Sequence, residues 1–215
     1  MPGSPKKRAR RLAEQYYETV VTNQERVIEW TEFNPRQAEF LKAVDDPTIR
    51  DVAYIGGRGI GKTSVLSRAI LEKMYQYPGI RCALTAHSHD KLRDSTKRVF
   101  MDMVTQSGRP YVMHEKSNIF ELPNKSECWF RSYEMKSPFR GPEIAILGMD
   151  EARETEEEHF VVSSAALRQK GYPHKFLIAT TPNGPNHWTS KYFINPDTRL
   201  PDSVCIRGST YDNKL

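Results

Sequence analysis

Apolar residues recur at helical spacing in some stretches of this chain and run together in others, and the two patterns take turns along it. In "NPRQAEFLKAV" (34–44), Asn34 is placed to cap a helix, Pro35 suits its first turn, and Phe40 and Leu41 share one face. A short apolar strand is expected at 52–55. A helix follows over about 62–76, carrying Val65, Leu66, Ala69, Ile70 and Met74 on one side and stopped by Pro78 and Gly79. "RCALTA" (81–86) reads as a buried strand, and 90–104 as a helix with Leu92, Val99, Phe100 and Met103 inward. Alternation on both sides of Pro123 and Asn124 predicts a hairpin over 118–133. "EIAILGMDEA" (143–152) is apolar enough for a strand buried on both faces, the mark of a central parallel strand. "KFLIATT" (175–181) and "SVCIRG" (203–208) supply two more strands, so the pattern as a whole predicts an α/β fold with a mostly parallel sheet.

Ahead of this body lie a basic stretch, "MPGSPKKRARRL" (1–12), read as a solvated arm or a nucleic-acid contact, and a segment (13–30) whose Tyr16, Tyr17, Val20 and Val21 fit an amphipathic helix. With 215 residues and 38% apolar content the chain can bury one sizeable core. Its net charge of +5 favours anionic partners without choosing among nucleic acid, nucleotide and acidic membrane surface. No apolar run approaches the roughly 18 residues a membrane span needs, so a soluble, cytosolic-type protein is expected. Cys82, Cys128 and Cys205 are odd in number and far apart, which predicts reduced and mostly buried thiols.

Chemistry enters at "GGRGIGKT", where Gly56, four residues, then Gly61, Lys62 and Thr63 match the phosphate-binding loop pattern. A strand runs into it and a helix leaves it, which is the setting the motif requires. Backbone N–H groups of such a loop and the positive end of the helix surround phosphate oxygens; Lys62 reaches the β and γ phosphates, and the Thr63 hydroxyl can ligate Mg²⁺. The phosphate-binding residues expected are Gly56, Gly57, Arg58, Gly59, Ile60, Gly61, Lys62, Thr63 and Ser64.

A second element is supplied where Ile144–Leu147 ends at Met149, Asp150 and Glu151. Asp150 is the expected Mg²⁺ partner, and Glu151 the base that orients and deprotonates the attacking water, which argues for hydrolysis over transfer. Thr155 and Glu158 read as a capping box for the next helix, leaving Glu154, Glu156, Glu157 and Glu158 as solvated helix-start acids. In "ATTPNG", Thr180, Thr181 and Asn183 fall at the same sheet edge as Asp150, where they could sense the γ-phosphate. His87, His89 and Asp90 read as exposed polar residues rather than a metal site.

With these motifs in order, the chain from about Trp30 to Asn213 resembles the ATPase domain of the large terminase subunit, the DNA-packaging motor of tailed bacteriophages. The resemblance implies a P-loop NTPase of the additional-strand, RecA-like class, with a basic arm and helix over 1–29 and the ATPase domain over 30–215. It makes "FNPRQ" the adenine-recognition segment, with Gln37 on the base edge, "ILGMDEA" the Walker B strand, and "ATTPNG" the coupling motif. It also implies an arginine at the γ-phosphate, either Arg58 in its own loop or Arg140 of "SPFRGPE", supplied by a neighbouring subunit. The implied cofactors are ATP and Mg²⁺. The implied partners are double-stranded DNA, further copies in a ring on the portal, and the small terminase subunit, in the host cytoplasm and away from membranes. Family members continue into a nuclease domain; the chain stops at "GSTYDNKL", so no nuclease activity is expected of it. The alternative is the ATPase lobe of a superfamily-2-type helicase, which needs a second similar lobe. A GTPase fits less well, since "NKSE" (124–127) lacks the aspartate of the base-reading motif.

Overall fold

A computed structural model describes residues 34–134, 138–139, 141 and 143–212. The predicted arm and helix before Asn34, and Arg140, lie outside the described residues. Eight strands form one sheet in the order β3-β4-β5-β2-β6-β7-β1-β8. They are β1 (Asp51–Gly56), β2 (Arg81–Ala86), β3 (Val112–His114), β4 (Ile119–Glu121), β5 (Glu127–Ser132), β6 (Ile146–Asp150), β7 (Lys175–Thr180) and β8 (Ser203–Gly208). From β5 to β8 all neighbours pair in parallel; β3 and β4 add antiparallel at one edge. β7 stands between β1, which leads into the glycine-rich loop, and β6, which ends at Asp150. That inserted strand is the additional strand of the class expected.

Every position of β1, β6 and β7 is buried, because helices cover both faces and the pleat sends successive side chains to opposite sides. Val52, Tyr54 and Leu177 join Phe40 of α1 (Pro35–Asp45) and Val65 and Leu66 of α2 (Lys62–Gln76) in one apolar layer. Ala53, Ile55, Phe176 and Ile178 join Phe160 of α5 (Glu157–Ala165) and Trp188 and Phe193 of α6 (Trp188–Phe193) in the other. Phe160 is its centre, with ring centroids 4.9 Å from Phe176 and 5.1 Å from Trp188. Cys82 and Cys128 are buried and Cys205 half-buried, all three as free thiols. Among the described residues no helix is long and apolar enough to cross a membrane.

Four local expectations change. The helix over 90–104 is three pieces: a short α3 (His89–Lys91), a π turn (Leu92–Lys97) and α4 (Arg98–Ser107). The wider turn keeps the inward face at steps of four, so Leu92, Thr96, Phe100 and Val104 are buried while Val99 and Met103 are only half-buried. The hairpin gains β3 as a third strand. The strand expected over 143–152 pairs only from Ile146 to Asp150, with Ile144 in an isolated bridge to Leu167. Finally, α5 is capped by Glu156, whose N–H donates to His159 Nδ1 at 3.2 Å, rather than by a Thr155–Glu158 box. Thr155 is instead drawn into the turn before it, donating its hydroxyl to the Ala152 carbonyl at 2.8 Å.

Candidate active site

The loop between β1 and α2 is fixed from below. The Ile60 carbonyl accepts from Gln37 Nε2 at 2.9 Å, Asn34 Nδ2 at 3.3 Å and the Tyr54 hydroxyl at 3.4 Å. Gly56 passes so close to β8 that a Cβ there would stand 2.1 Å from the Gly208 carbonyl oxygen. Gly61, which precedes α2, takes φ 75 and ψ 30, a left-handed conformation open to glycine at little cost. No side chain caps α2 and its first turn carries no acid, so its leading N–H groups and positive end face the loop.

Lys62 is buried and its Nζ folds back onto two loop carbonyls, Gly56 at 3.2 Å and Gly57 at 2.7 Å. Burial pushes its ammonium below the ordinary value, while Glu151 and Asp150 pull the other way. Thr63, one residue on, donates its hydroxyl to Asp150, 3.1 Å from Oδ1 and 3.0 Å from Oδ2. Asp150 is 2% exposed. Burial raises its carboxyl to about 6, against the opposing pull of the Thr96 and Thr63 hydroxyls. Thr63 and Asp150 are hard oxygen donors of the kind magnesium takes.

The chain turns sharply after β6. Glu151 has φ 47 and ψ 48, the left-handed region in a non-glycine residue, and its N–H donates to Asp150 Oδ1 at 3.1 Å. Its carboxylate stands 3.4 Å from Arg153 Nε, both side chains being about 30% exposed (28% and 30%). The Arg153 backbone is held by the loop after β7: its N–H donates to Thr180 Oγ1 at 2.8 Å, and its carbonyl accepts from Asn183 Nδ2 at 3.3 Å.

Lys62, Thr63, Asp150 and Glu151, far apart in the chain, therefore meet at one end of the sheet. Other expected residues stand differently. Thr180 is fully buried and its hydroxyl accepts from Arg153 N and donates to the Thr181 carbonyl, so it ties the loop after β7 to the turn carrying Glu151. The Thr181 hydroxyl is buried with no hydrogen-bond partner among the described residues. Gln37, 4% exposed, donates its Nε2 to the loop backbone, while its Oε1 is buried with no hydrogen-bond partner among the described residues. Arg58 is exposed, its carbonyl 3.4 Å from Thr210 Oγ1. His87, His89 and Asp90 are exposed, as expected. Two residues were missed: Thr96, which donates to Asp150 Oδ2 at 2.7 Å, and Arg153. A polar residue within the row Leu92, Phe100, Val104 was the available signal for the first.

No curated protein sequence matches the chain. Among solved structures, the large terminase of a thermophilic bacteriophage in complex with ATP-gamma-S superposes with a TM-score of 0.72 at 18% identity, covering 85% of this chain and 46% of that one. The chain thus spans about half the length of that terminase. The bacteriophage HK97 large terminase gives 0.64 at 19% identity, over 80% of this chain and 38% of that one. The ATPase domain of the Thermus phage P74-26 large terminase gives 0.59 at 13% identity, over 79% of each. These likenesses establish a P-loop NTPase fold of the RecA-like class. Residues 50–215 match the family described as phage terminase large subunit, which sets the helicase alternative aside, and the chain belongs to that family.

Proposed function

We propose that this chain carries the ATP-hydrolysing motor of a large terminase, which drives double-stranded DNA into a procapsid. The observation that carries the reading is the pairing of Thr63 with Asp150 at 3.0 and 3.1 Å, which joins the start of α2 to the end of β6 across the intervening β7. A glycine cradle, a buried lysine and two hard oxygen donors at one point fit a triphosphate with its magnesium. On this reading Lys62 leaves the Gly56 and Gly57 carbonyls for the phosphate oxygens. Thr63 and Asp150 would hold a magnesium ion, which would supply positive charge to neutralise those oxygens. Glu151 takes a proton from water as the water oxygen bonds to the γ-phosphorus; the bond from phosphorus to the bridging oxygen breaks, giving ADP and phosphate.

The thermophilic phage's terminase, bound to ATP-gamma-S, supports ATP as the nucleotide. The same reading takes 30–215 as the ATPase domain, with 1–29 as a basic arm and helix. It assigns Gln37 to the base, Arg58 or a neighbour's Arg140 to the γ-phosphate, and lysine and arginine side chains to DNA phosphates. Its partners are further copies in a ring on the portal and the small terminase subunit, in the host cytoplasm. Glu151→Gln tests the chemistry: phosphate release falls about 100- to 10,000-fold while nucleotide still binds. Activity that survives the substitution sinks the assignment of the base.

A further inference from the structure

We infer that Thr96 is a positioning residue for the Asp150 carboxylate, holding it in the orientation that receives the magnesium of a bound nucleotide. The inference rests on the reading of Asp150 as the magnesium partner. Three groups donate to that carboxylate: Thr63 to both oxygens at 3.1 and 3.0 Å, the Glu151 N–H to Oδ1 at 3.1 Å, and Thr96 to Oδ2 at 2.7 Å, the shortest of them. Thr63 has only one hydroxyl proton to share between the two oxygens. When its oxygen takes a metal, Thr96 is the side-chain donor left to keep the carboxylate from rotating.

The place of Thr96 in the fold supports this role. It is 1% exposed and lies in the row Leu92, Thr96, Phe100, Val104, whose other members are apolar and buried. Packing alone would accept valine, which has the same shape; a hydroxyl buried there costs free energy unless it is bonded, and its partner is Asp150. The row reaches Asp150 through the π turn, Leu92–Lys97, a helix form that concentrates at functional sites. With Leu92 and Phe100 anchored in the core on either side, the hydroxyl is held rigidly.

Outer partners of a metal-binding carboxylate set its affinity as well as its direction. The test is a magnesium titration of the chain in the presence of a fluorescent, non-hydrolysable ATP analogue. In Thr96→Val the magnesium concentration at half-saturation rises about 10- to 100-fold, affinity for the analogue without magnesium stays within about twofold, and Thr96→Ser restores the wild-type value. An unchanged half-saturation in the valine variant overturns the inference. So does an affinity loss that is equal with and without magnesium, since that marks a purely structural role. If the valine chain does not fold, Thr96→Ala is read by the same criteria. A wild-type chain that binds the analogue no better with magnesium than without refutes the magnesium reading itself, and this is seen before any variant is made.

Discussion

Gly61→Ala probes how the phosphate loop is held. Two costs can be worked from the geometry. At φ 75 and ψ 30 an alanine sits in the left-handed region, about 1–2 kcal/mol above its ordinary conformations. Its Cβ would also stand 2.2 Å from Gln37 Nε2, so the amide must move and its bond to the Ile60 carbonyl is lost, about 1 kcal/mol net. The sum is about 2–3 kcal/mol, of which about 1 kcal/mol passes through Gln37. Urea unfolding of the wild type, Gly61→Ala, Gln37→Ala and the double variant gives the coupling directly. Gly61→Ala should cost about 1 kcal/mol less when Gln37 is already alanine. An equal cost in the two backgrounds would show that the backbone alone requires glycine and that Gln37 does not brace the loop.

Two further outcomes concern charges. Asp51, fully buried beside Arg50, has its carboxyl pushed up to about 6 by burial, against an ordinary 3.8. An acid raised in the folded state binds protons more readily there than when unfolded, so its ionisation opposes folding: the penalty is absent below 3.8 and complete above about 6. The full penalty is about 3 kcal/mol (2.2 pH units from 3.8 to about 6, at 1.36 kcal/mol each), of which about 1.4 kcal/mol falls between pH 5 and pH 8. Relative to the wild type, Asp51→Asn should therefore gain that amount between the two pH values in urea unfolding; a pH-independent difference would refute the shift. Arg153, 3.4 Å from Glu151, restrains the expected base through a partly exposed pair worth about 0.2–1 kcal/mol, so Arg153→Ala should raise phosphate release up to about fivefold. A fall of about 1000-fold would show instead that the guanidinium acts on the phosphate.

Much of the site was legible because its parts are local. A strand, a glycine-rich loop and a helix in succession specify a phosphate cradle through the backbone they impose, and the apolar run before Asp150 and Glu151 specifies a central strand with acids at its end. The π turn was not legible, since the same residues also satisfy an ordinary helical period; tertiary packing at Leu92, Phe100 and Val104 chose between the two. The displaced cap of α5 has a similar cause: Thr155 is drawn into the turn after Glu151 by the Ala152 carbonyl and is no longer free to cap.

By itself, then, the sequence determined what is local or periodic: the cradle, the acid pair, the alternation of strands and helices, and the family those motifs resemble. Only the tertiary structure decided which hydroxyls close on Asp150, that Thr180 grips the backbone of Arg153, and that Gln37 braces the Ile60 carbonyl. The physical reason is that hydrogen bonds at a buried site are chosen by which groups folding brings within reach. Thr96 and Asp150 lie 54 residues apart, and no pattern along the chain records that they meet.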